Sequence, residues 1–195
     1  DAVAQVSSES FWPKFQRDTR NSGVAPTLGF VRDLRVAWYV QLYTPTVTPG
    51  ERHSMPVFST DNTRLYVGGP NATLSAVDIT TKEVVWTVAL GAGVGTIHQT
   101  PVVRSDGAIF VGAWNAAAPF DGFAKLTDNG DSAVVHWTFP LRGIASPTIT
   151  DDGLIIVAGE HETLGWGVFA IEDLGESYVL AWSAAHLADP GDATS

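Results

Sequence analysis

The sequence predicts an all-β protein assembled from repeated four-stranded units, and three observations support this prediction. The 195 residues include 19 Gly and 11 Pro, which separate short runs rich in Val, Ile, Thr and aromatic residues, a composition that favours strands and turns over helices. The apolar fraction of 45% is sufficient for a sizeable core. The third observation is an internal repeat with a period in the mid-forties.

Each repeat begins at a strand that contains Pro or follows it, and ends at a strand that contains Trp. The first strands start at Met55–Val57, Thr100–Val102 and Ser146–Thr148, which are 45 and 46 residues apart, and second strands follow at Leu65–Gly68, Ile109–Gly112 and Ile155–Ala158. The last strands contain Trp86, Trp137 and Trp182, and Trp38 lies one period earlier, at spacings of 48, 51 and 45 residues. Four strands per repeat at this period are typical of β-propeller blades.

The best-preserved part of the repeat runs from Ala76 to Trp86, as a strand, a polar turn and a second strand. Asp78 is placed to accept hydrogen bonds from the amides of the turn. Trp86 is a large residue for the core, and its indole N–H needs a partner when buried. The later repeats match less closely, and the sequence aligns Leu126–Thr127 and Glu172–Asp173 with Val77–Asp78.

The eleven residues from Ala76 to Trp86 resemble the tryptophan-docking motif of the pyrroloquinoline-quinone-like β-propellers, with Lys82 where the family has Gly. The run from Phe11 to Gly23 resembles the segment that often precedes the first blade in that family, and we expect it to act as an aromatic latch. The resemblance implies part of a seven- or eight-bladed propeller. It also implies that four tryptophans dock between blades: Trp38, Trp86, Trp137 and Trp182.

The predicted organisation has a tail and latch at 1–34, a partial β-propeller at 35–188 and a flexible tail at 189–195 that is a candidate processing site. The propeller comprises an orphan strand at 35–43 and three complete blades at about 53–90, 98–141 and 144–186. Because the family has more blades, we expect a second polypeptide to complete the ring, most simply the other half of a processed precursor. A truncated sequence would show the same pattern, and two copies of this chain would leave two orphan strands.

Charge and composition exclude several classes of function. A net charge of −10 without a Lys/Arg cluster argues against nucleic-acid binding, and no apolar run is long enough to predict a membrane-spanning helix. There is no Cys, so disulfides and thiol chemistry are excluded. The polar start at Asp1 resembles the mature end left by a signal peptidase, which predicts a secreted or periplasmic protein.

One face of the predicted blades carries the candidate metal ligands. His53 and His98 each lie three residues before a repeated Pro, and Glu160 or His161 from the third blade would complete a transition-metal site. The interpretation we favour is that these histidines satisfy backbone groups at strand starts. Calcium is a second candidate ion, although Asp128–Ser132 fits a turn better than a calcium loop.

The same face is predicted to form a binding surface with Trp114, Asn115, Asp121 and Trp166. Asn71, in the sequence Asn-Ala-Thr, is a candidate glycosylation site. The sequence therefore predicts an exported, non-catalytic propeller half for binding or scaffolding. The alternative is an exported quinoprotein-like or metal-dependent enzyme with its site in the central channel. Pyrroloquinoline quinone itself is disfavoured, because the adjacent cysteines of the family's alcohol dehydrogenases are missing.

Overall fold

A computed structural model describes residues 36–42, 54–90, 95–114, 122–142 and 144–185. All regular structure in these ranges is β. The strands are β1 (Val57–Phe58), β2 (Arg64–Gly68), β3 (Thr73–Asp78), β4 (Glu83–Ala89), β5 (Val102–Val103), β6 (Ile109–Gly112), β7 (Phe123–Asp128), β8 (Ala133–Phe139), β9 (Leu141–Arg142), β10 (Thr148–Ile149), β11 (Ile155–His161), β12 (Gly165–Asp173) and β13 (Tyr178–Ala185). Within these ranges, no helix is long and apolar enough to cross a membrane.

The strands form three antiparallel sheets in sequence order, β1 to β4, β5 to β8 and β10 to β13. Strands that are consecutive in the sequence are hydrogen-bonded neighbours in each sheet, so each sheet is a simple meander. An additional strand, β9, pairs with β11 at the edge of the third sheet. The prediction of an all-β chain with three consecutive four-stranded units is therefore confirmed, and the sheets are propeller-like blades.

The register of pairing repeats in all three blades. One row of directly paired residues, here called the Trp row, crosses each sheet and ends at the tryptophan. The rows are Val57, Tyr66, Ala76 and Trp86; Val102, Phe110, Lys125 and Trp137; and Thr148, Ile156, Ala170 and Trp182. A bulge directly follows the third member of each row, so the tryptophans are structurally equivalent as the sequence predicted.

The register corrects one detail of the sequence alignment. Thr127 is equivalent to Asp78, as expected, but the match in the third blade is Glu172 and not Asp173. The reason is that the β7–β8 and β12–β13 hairpins have three residue pairs between bulge and turn, whereas β3–β4 has two. Because strand side chains alternate between faces, this extra pair turns Asp128 and Asp173 towards the preceding blade.

The blades stack face to face on two apolar clusters. The Trp row of the first blade packs on the second blade, in a cluster that includes Trp86, Ile109 and Leu126. The Trp row of the second blade packs on the third, with Trp137, Ile155 and Phe169 among the buried residues. Consecutive blades are thus held together by hydrophobic burial, the largest favourable contribution to such an arrangement.

Glycines in β2 and β6 allow the segments between blades to approach the sheet. A Cβ at Gly68 would lie 2.2 Å from Ile97 Cγ2, and one at Gly112 would lie 2.5 Å from Ile144 Cγ2. Ile97 and Ile144 are fully buried and belong to the two core clusters. Any side chain at these two strand positions would push the connecting segment off the core.

The orphan strand predicted at 35–43, whose blade a second polypeptide would complete, stays a prediction. Residues 36–42 have no strand assignment, Trp38 is partly exposed and Tyr39 is largely exposed. A strand needs neighbours to satisfy its backbone groups, and the three described sheets are each already complete without this segment. The predicted latch at 1–34 and the tail at 189–195 lie outside the described residues.

We expect Gly112→Ala to lower the free energy of unfolding by about 1–3 kcal/mol, because its new methyl group would collide with Ile144. Gly107→Ala is the matched control, since a Cβ there meets nothing within 4 Å and the strain comes only from a φ of 90°. That control should cost about 1 kcal/mol. Denaturant titration measures both values, and an undiminished stability in Gly112→Ala would contradict the close packing.

Candidate functional site

The junction between the first and second blades is centred on the carboxylate of Asp128. Trp86 Nε1 donates to Oδ1 over 2.9 Å, and Tyr66 Oη donates to Oδ2 over 2.9 Å. Arg64 Nη1 contacts both carboxylate oxygens, at 2.5 and 2.6 Å. The second blade thus supplies an acceptor, here called the docking carboxylate, and the first blade supplies three donors. The indole of Trp86 is only 6% exposed.

The junction between the second and third blades repeats this arrangement around Asp173. Trp137 Nε1 donates to Oδ1 over 2.9 Å, Arg104 Nη2 donates to Oδ2 over 2.7 Å, and Lys125 Nζ lies 2.8 Å from Oδ2. The Asp173 side chain is 1% exposed. A buried carboxylate needs such partners, because an unpaired charge away from water is very costly.

The two junctions obtain their third donor from different strands. In the first blade the Trp row contains Tyr66 on β2 opposite the small Ala76 on β3, and the phenol reaches the carboxylate. In the second blade Phe110 replaces the tyrosine and cannot donate, while Lys125 on β7 takes over this role. Lys125 also donates to the Gly175 carbonyl over 2.8 Å. Each junction therefore keeps one arginine, one indole and one further donor.

Hydrogen bonding and charge keep the Asp173 network ionised. Burial by itself raises the pKa of Asp173, but hydrogen bonds from Lys125, Trp137 and Arg104 outweigh it, so the pKa lies below its ordinary value. Burial tends to lower the pKa of Arg104, yet contacts with Asp106 and Asp173 raise it overall. Both groups are therefore charged at neutral pH, which gives this junction a strong charge-assisted contact.

A polar cleft of about 370 Å³ opens beside the first junction. Its walls are the β1–β2 turn, the β5–β6 turn and the start of the β7–β8 turn, and Asp128 is among the residues that line it. Asp61 in its wall accepts hydrogen bonds from Ser59 Oγ at 2.6 Å and Thr63 N at 3.0 Å, which lower the pKa of its carboxyl group. The cleft is thus lined by groups that already hold the turns and the junction.

Two of the predicted metal ligands are engaged in other interactions. Glu160 forms a bidentate ion pair with Arg142, at 2.7 and 2.9 Å. His161 Nδ1 accepts from the amides of Thr163 and Leu164 at 3.2 and 3.3 Å, and burial lowers the pKa of its imidazole. A neutral ring whose Nδ1 accepts from turn amides acts as a structural group at the β11–β12 turn.

Of the other two predicted ligands, only His98 is among the described residues. His53 lies outside the described residues, and His98 lies in the segment between the first two blades, where it has contacts of its own. Within the described ranges, no group of three or more His, Cys, Asp or Glu side chains is arranged to hold a metal ion. Metal binding through His53 and His98 stays a prediction.

Two of the four residues that were predicted to form the binding face, both tryptophans, are among the described residues. Trp114 and Trp166 are each nearly half exposed; Trp114 exchanges backbone hydrogen bonds with Thr96, and Trp166 pairs with Glu160 in the β11–β12 hairpin. Asn115 and Asp121 lie outside the described residues. Asn71 is exposed in the β2–β3 turn with a φ of 55°, so its side chain is accessible for the predicted glycosylation.

Sequence reasoning missed the docking carboxylates and their cations. It treated Asp128 as part of a turn, and it did not single out Arg64, Arg104 or Lys125. Two signals were present. Asp-x-Gly starts at Asp128 and at Asp173, where β7 and β12 end, and Lys125 is the one basic residue in β7, between apolar neighbours. Neither signal identifies its partner, because the contacts join residues 36 to 69 positions apart.

Trp182 is equivalent to Trp86 and Trp137 but has a different environment. Its indole is 47% exposed, against 6% for each of the other two, and no described carboxylate accepts its N–H. The outward face of the third blade is therefore open among the described residues.

Comparison with known proteins adds nothing to this geometry: no protein-family model matches the chain, and no curated protein matches it.

We expect Trp137→Ala to lower the free energy of unfolding by about 3–5 kcal/mol, because it leaves a cavity and removes a donor to a buried carboxylate. Trp182→Ala is the internal control. Its indole is half exposed in the chain alone, so the loss should be about 1 kcal/mol. Denaturant unfolding of both variants tests the difference, and equal losses would show that the tryptophans are not distinguished by docking.

Asp173 should contribute to stability in a pH-dependent way. Its folded pKa lies below the ordinary 3.8, so its contribution is present above that value and is lost as the pH falls through the lowered folded pKa. Unfolding free energies measured between about pH 5 and pH 1 should fall less steeply in Asp173→Asn than in the parent. Glu172→Gln, an exposed neighbour, is the control; parallel curves for Asp173→Asn and the parent would contradict the assignment.

Proposed function

We propose that this chain is an exported, non-catalytic part of a β-propeller, which assembles with a second polypeptide to form a binding or scaffolding surface. The observation that carries the proposal is the open outward face of the third blade. The other two Trp rows are covered by a neighbouring blade, and the third ends in a half-exposed indole. The second polypeptide would cover this face with further blades, most simply as the other half of a processed precursor.

The composition of the open face supports a protein partner. Trp182, Val168 and Val179 are exposed, and Ile156 beside them is partly exposed. Apolar side chains that adjoin on one sheet face are a common mark of a protein interface, whereas scattered ones are not. A closed propeller has four to eight blades, each covered on both faces by its neighbours. Further blades would therefore bury this face as Trp86 and Trp137 are buried.

The residues on the predicted binding face support a role in binding over one in catalysis. The Glu160 carboxylate is held by Arg142, and His161 accepts hydrogen bonds from the turn amides. These side chains are used to hold the β9–β11–β12 corner in place. Trp114 and Trp166 present exposed aromatic surface, the kind of residue that is enriched where proteins bind partners. The proposed surface is accordingly a rigid platform with aromatic contacts.

Native mass spectrometry of material purified from its source tests the proposal. We expect a complex of this chain with one further polypeptide, and denaturing mass analysis should identify that second chain as one with repeated β-strands. Fluorescence quenching by acrylamide provides a second measurement, since Trp182 should be protected in the complex. A single polypeptide with an accessible Trp182 would overturn the proposal.

Trp182→Ala should weaken association with the second chain by about 10- to 100-fold, because buried tryptophans at the centre of an interface carry much of the binding energy. Trp114→Ala is the control, since Trp114 is similarly exposed but follows β6 of the second blade and is bridged to Thr96, away from the open face of the third blade. It should change this affinity by about twofold or less. Titration calorimetry with the recovered second chain measures both values.

A further inference from the structure

The open face of the third blade lacks the cations that the other two Trp-row faces carry. Arg104 directly follows β5 in the second blade, and the equivalent residue of the third blade is Thr150. Arg64 is the first residue of β2 in the first blade, and its carbonyl accepts from the amide of Ser59. The equivalent residue of the third blade is Leu154, whose carbonyl accepts from the amide of Thr150. The third donors are also missing, because Ile156 and Ala170 occupy the positions of Tyr66 and Lys125.

The sequence of the third blade is acidic throughout. Residues 148–185 contain no Lys or Arg and seven carboxylates, and five of these are exposed, Asp152 and Glu172 among them. Asp152 corresponds to Asp106, which anchors Arg104 in the second blade. In the third blade Asp152 accepts instead from the Thr150 hydroxyl. The open face thus offers an indole N–H and apolar side chains, and it has a negative rim.

A docking carboxylate at this face would be buried without a cation from the third blade. Asp128 and Asp173 are each neutralised by an arginine of the preceding blade. An uncompensated buried charge costs several kcal/mol, and the indole N–H alone does not neutralise it. A neutral acceptor has no such penalty and still satisfies the indole.

We infer that the partner surface on the third blade presents a neutral side-chain acceptor to Trp182, the oxygen of an amide, in place of a docking carboxylate. The inference rests on the proposed function, in which another blade covers this face. The same partner surface would carry Lys or Arg at its edge, opposite Asp152 and Glu172. The chemistry of this junction therefore differs from that of the two described ones, and it would discriminate between partners.

A second copy of this chain does not fit this description. Counted from the bulge, Ile79 of the first blade is the residue that corresponds to Asp128 and Asp173. An isoleucine side chain offers no acceptor to an indole, and a chain with a net charge of −10 would be repelled by the acidic rim. The occupant of the open face is therefore a different sequence from the first blade of this chain.

The charge rule is tested within the chain itself. Arg64→Leu gives the first blade the residue that the third blade has, and it should lower the melting temperature by about 5 °C because Asp128 loses its cation. Adding Asp128→Asn should restore most of that loss, since the amide oxygen still accepts from Trp86. If Asp128→Asn does not rescue Arg64→Leu, a docking carboxylate does not need the arginine and the inference is overturned.

The junction itself is tested with the second chain recovered by native mass spectrometry. Thr150→Arg should weaken its binding about tenfold, because the new guanidinium loses water without meeting a second carboxylate. Thr163→Arg makes the same charge change in the exposed β11–β12 turn and should change binding by about twofold or less. Unchanged or tighter binding of Thr150→Arg overturns the inference. Recovery of no second chain overturns the proposed function, whatever the Arg64 and Asp128 variants show.

Discussion

The contact on which the described structure depends is the hydrogen bond from a tryptophan indole to an aspartate of the next blade. This contact combines burial of an apolar ring with satisfaction of a buried carboxylate. The indole fills the space between two sheets, and its N–H, together with an arginine from the same blade, satisfies a carboxylate that would otherwise be buried alone. The indole, the arginine and the carboxylate at each junction therefore depend on one another, and removing one of them weakens the contacts of the others.

This dependence explains why the third blade is the informative one. Its tryptophan, bulge and strand register follow the pattern of the other two, so its backbone is ready to dock. Its arginine positions are occupied by Thr150 and Leu154, so it lacks the cations that would pair with a docking carboxylate. A face that keeps the indole and omits the cations is suited to a partner with a neutral acceptor. The repeated strand register thus determines how blades stack, while the individual side chains on each face determine which surface can pack against it.

The sequence alone was sufficient for the strands and their period. Alternating apolar residues, turn signals and tryptophans at regular intervals all report local geometry, which neighbouring residues determine. For this reason the three four-stranded units and the equivalence of Trp86, Trp137 and Trp182 were predictable. The strand predicted at 35–43 needs a partner strand from outside the three described sheets, so the sequence indicates its strand character but not its pairing.

Tertiary structure decided which charges meet. The sequence placed Asp128 in a turn and gave no role to Arg64, Arg104 or Lys125, because the contacts that define them cross from one blade to the next. Likewise it offered Glu160 and His161 as metal ligands, and the fold gives them Arg142 and the turn amides as partners. Local patterns encode the strands. The role of a charged side chain depends on which groups lie beside it once it is buried, and those neighbours are determined only by the stacking of the blades.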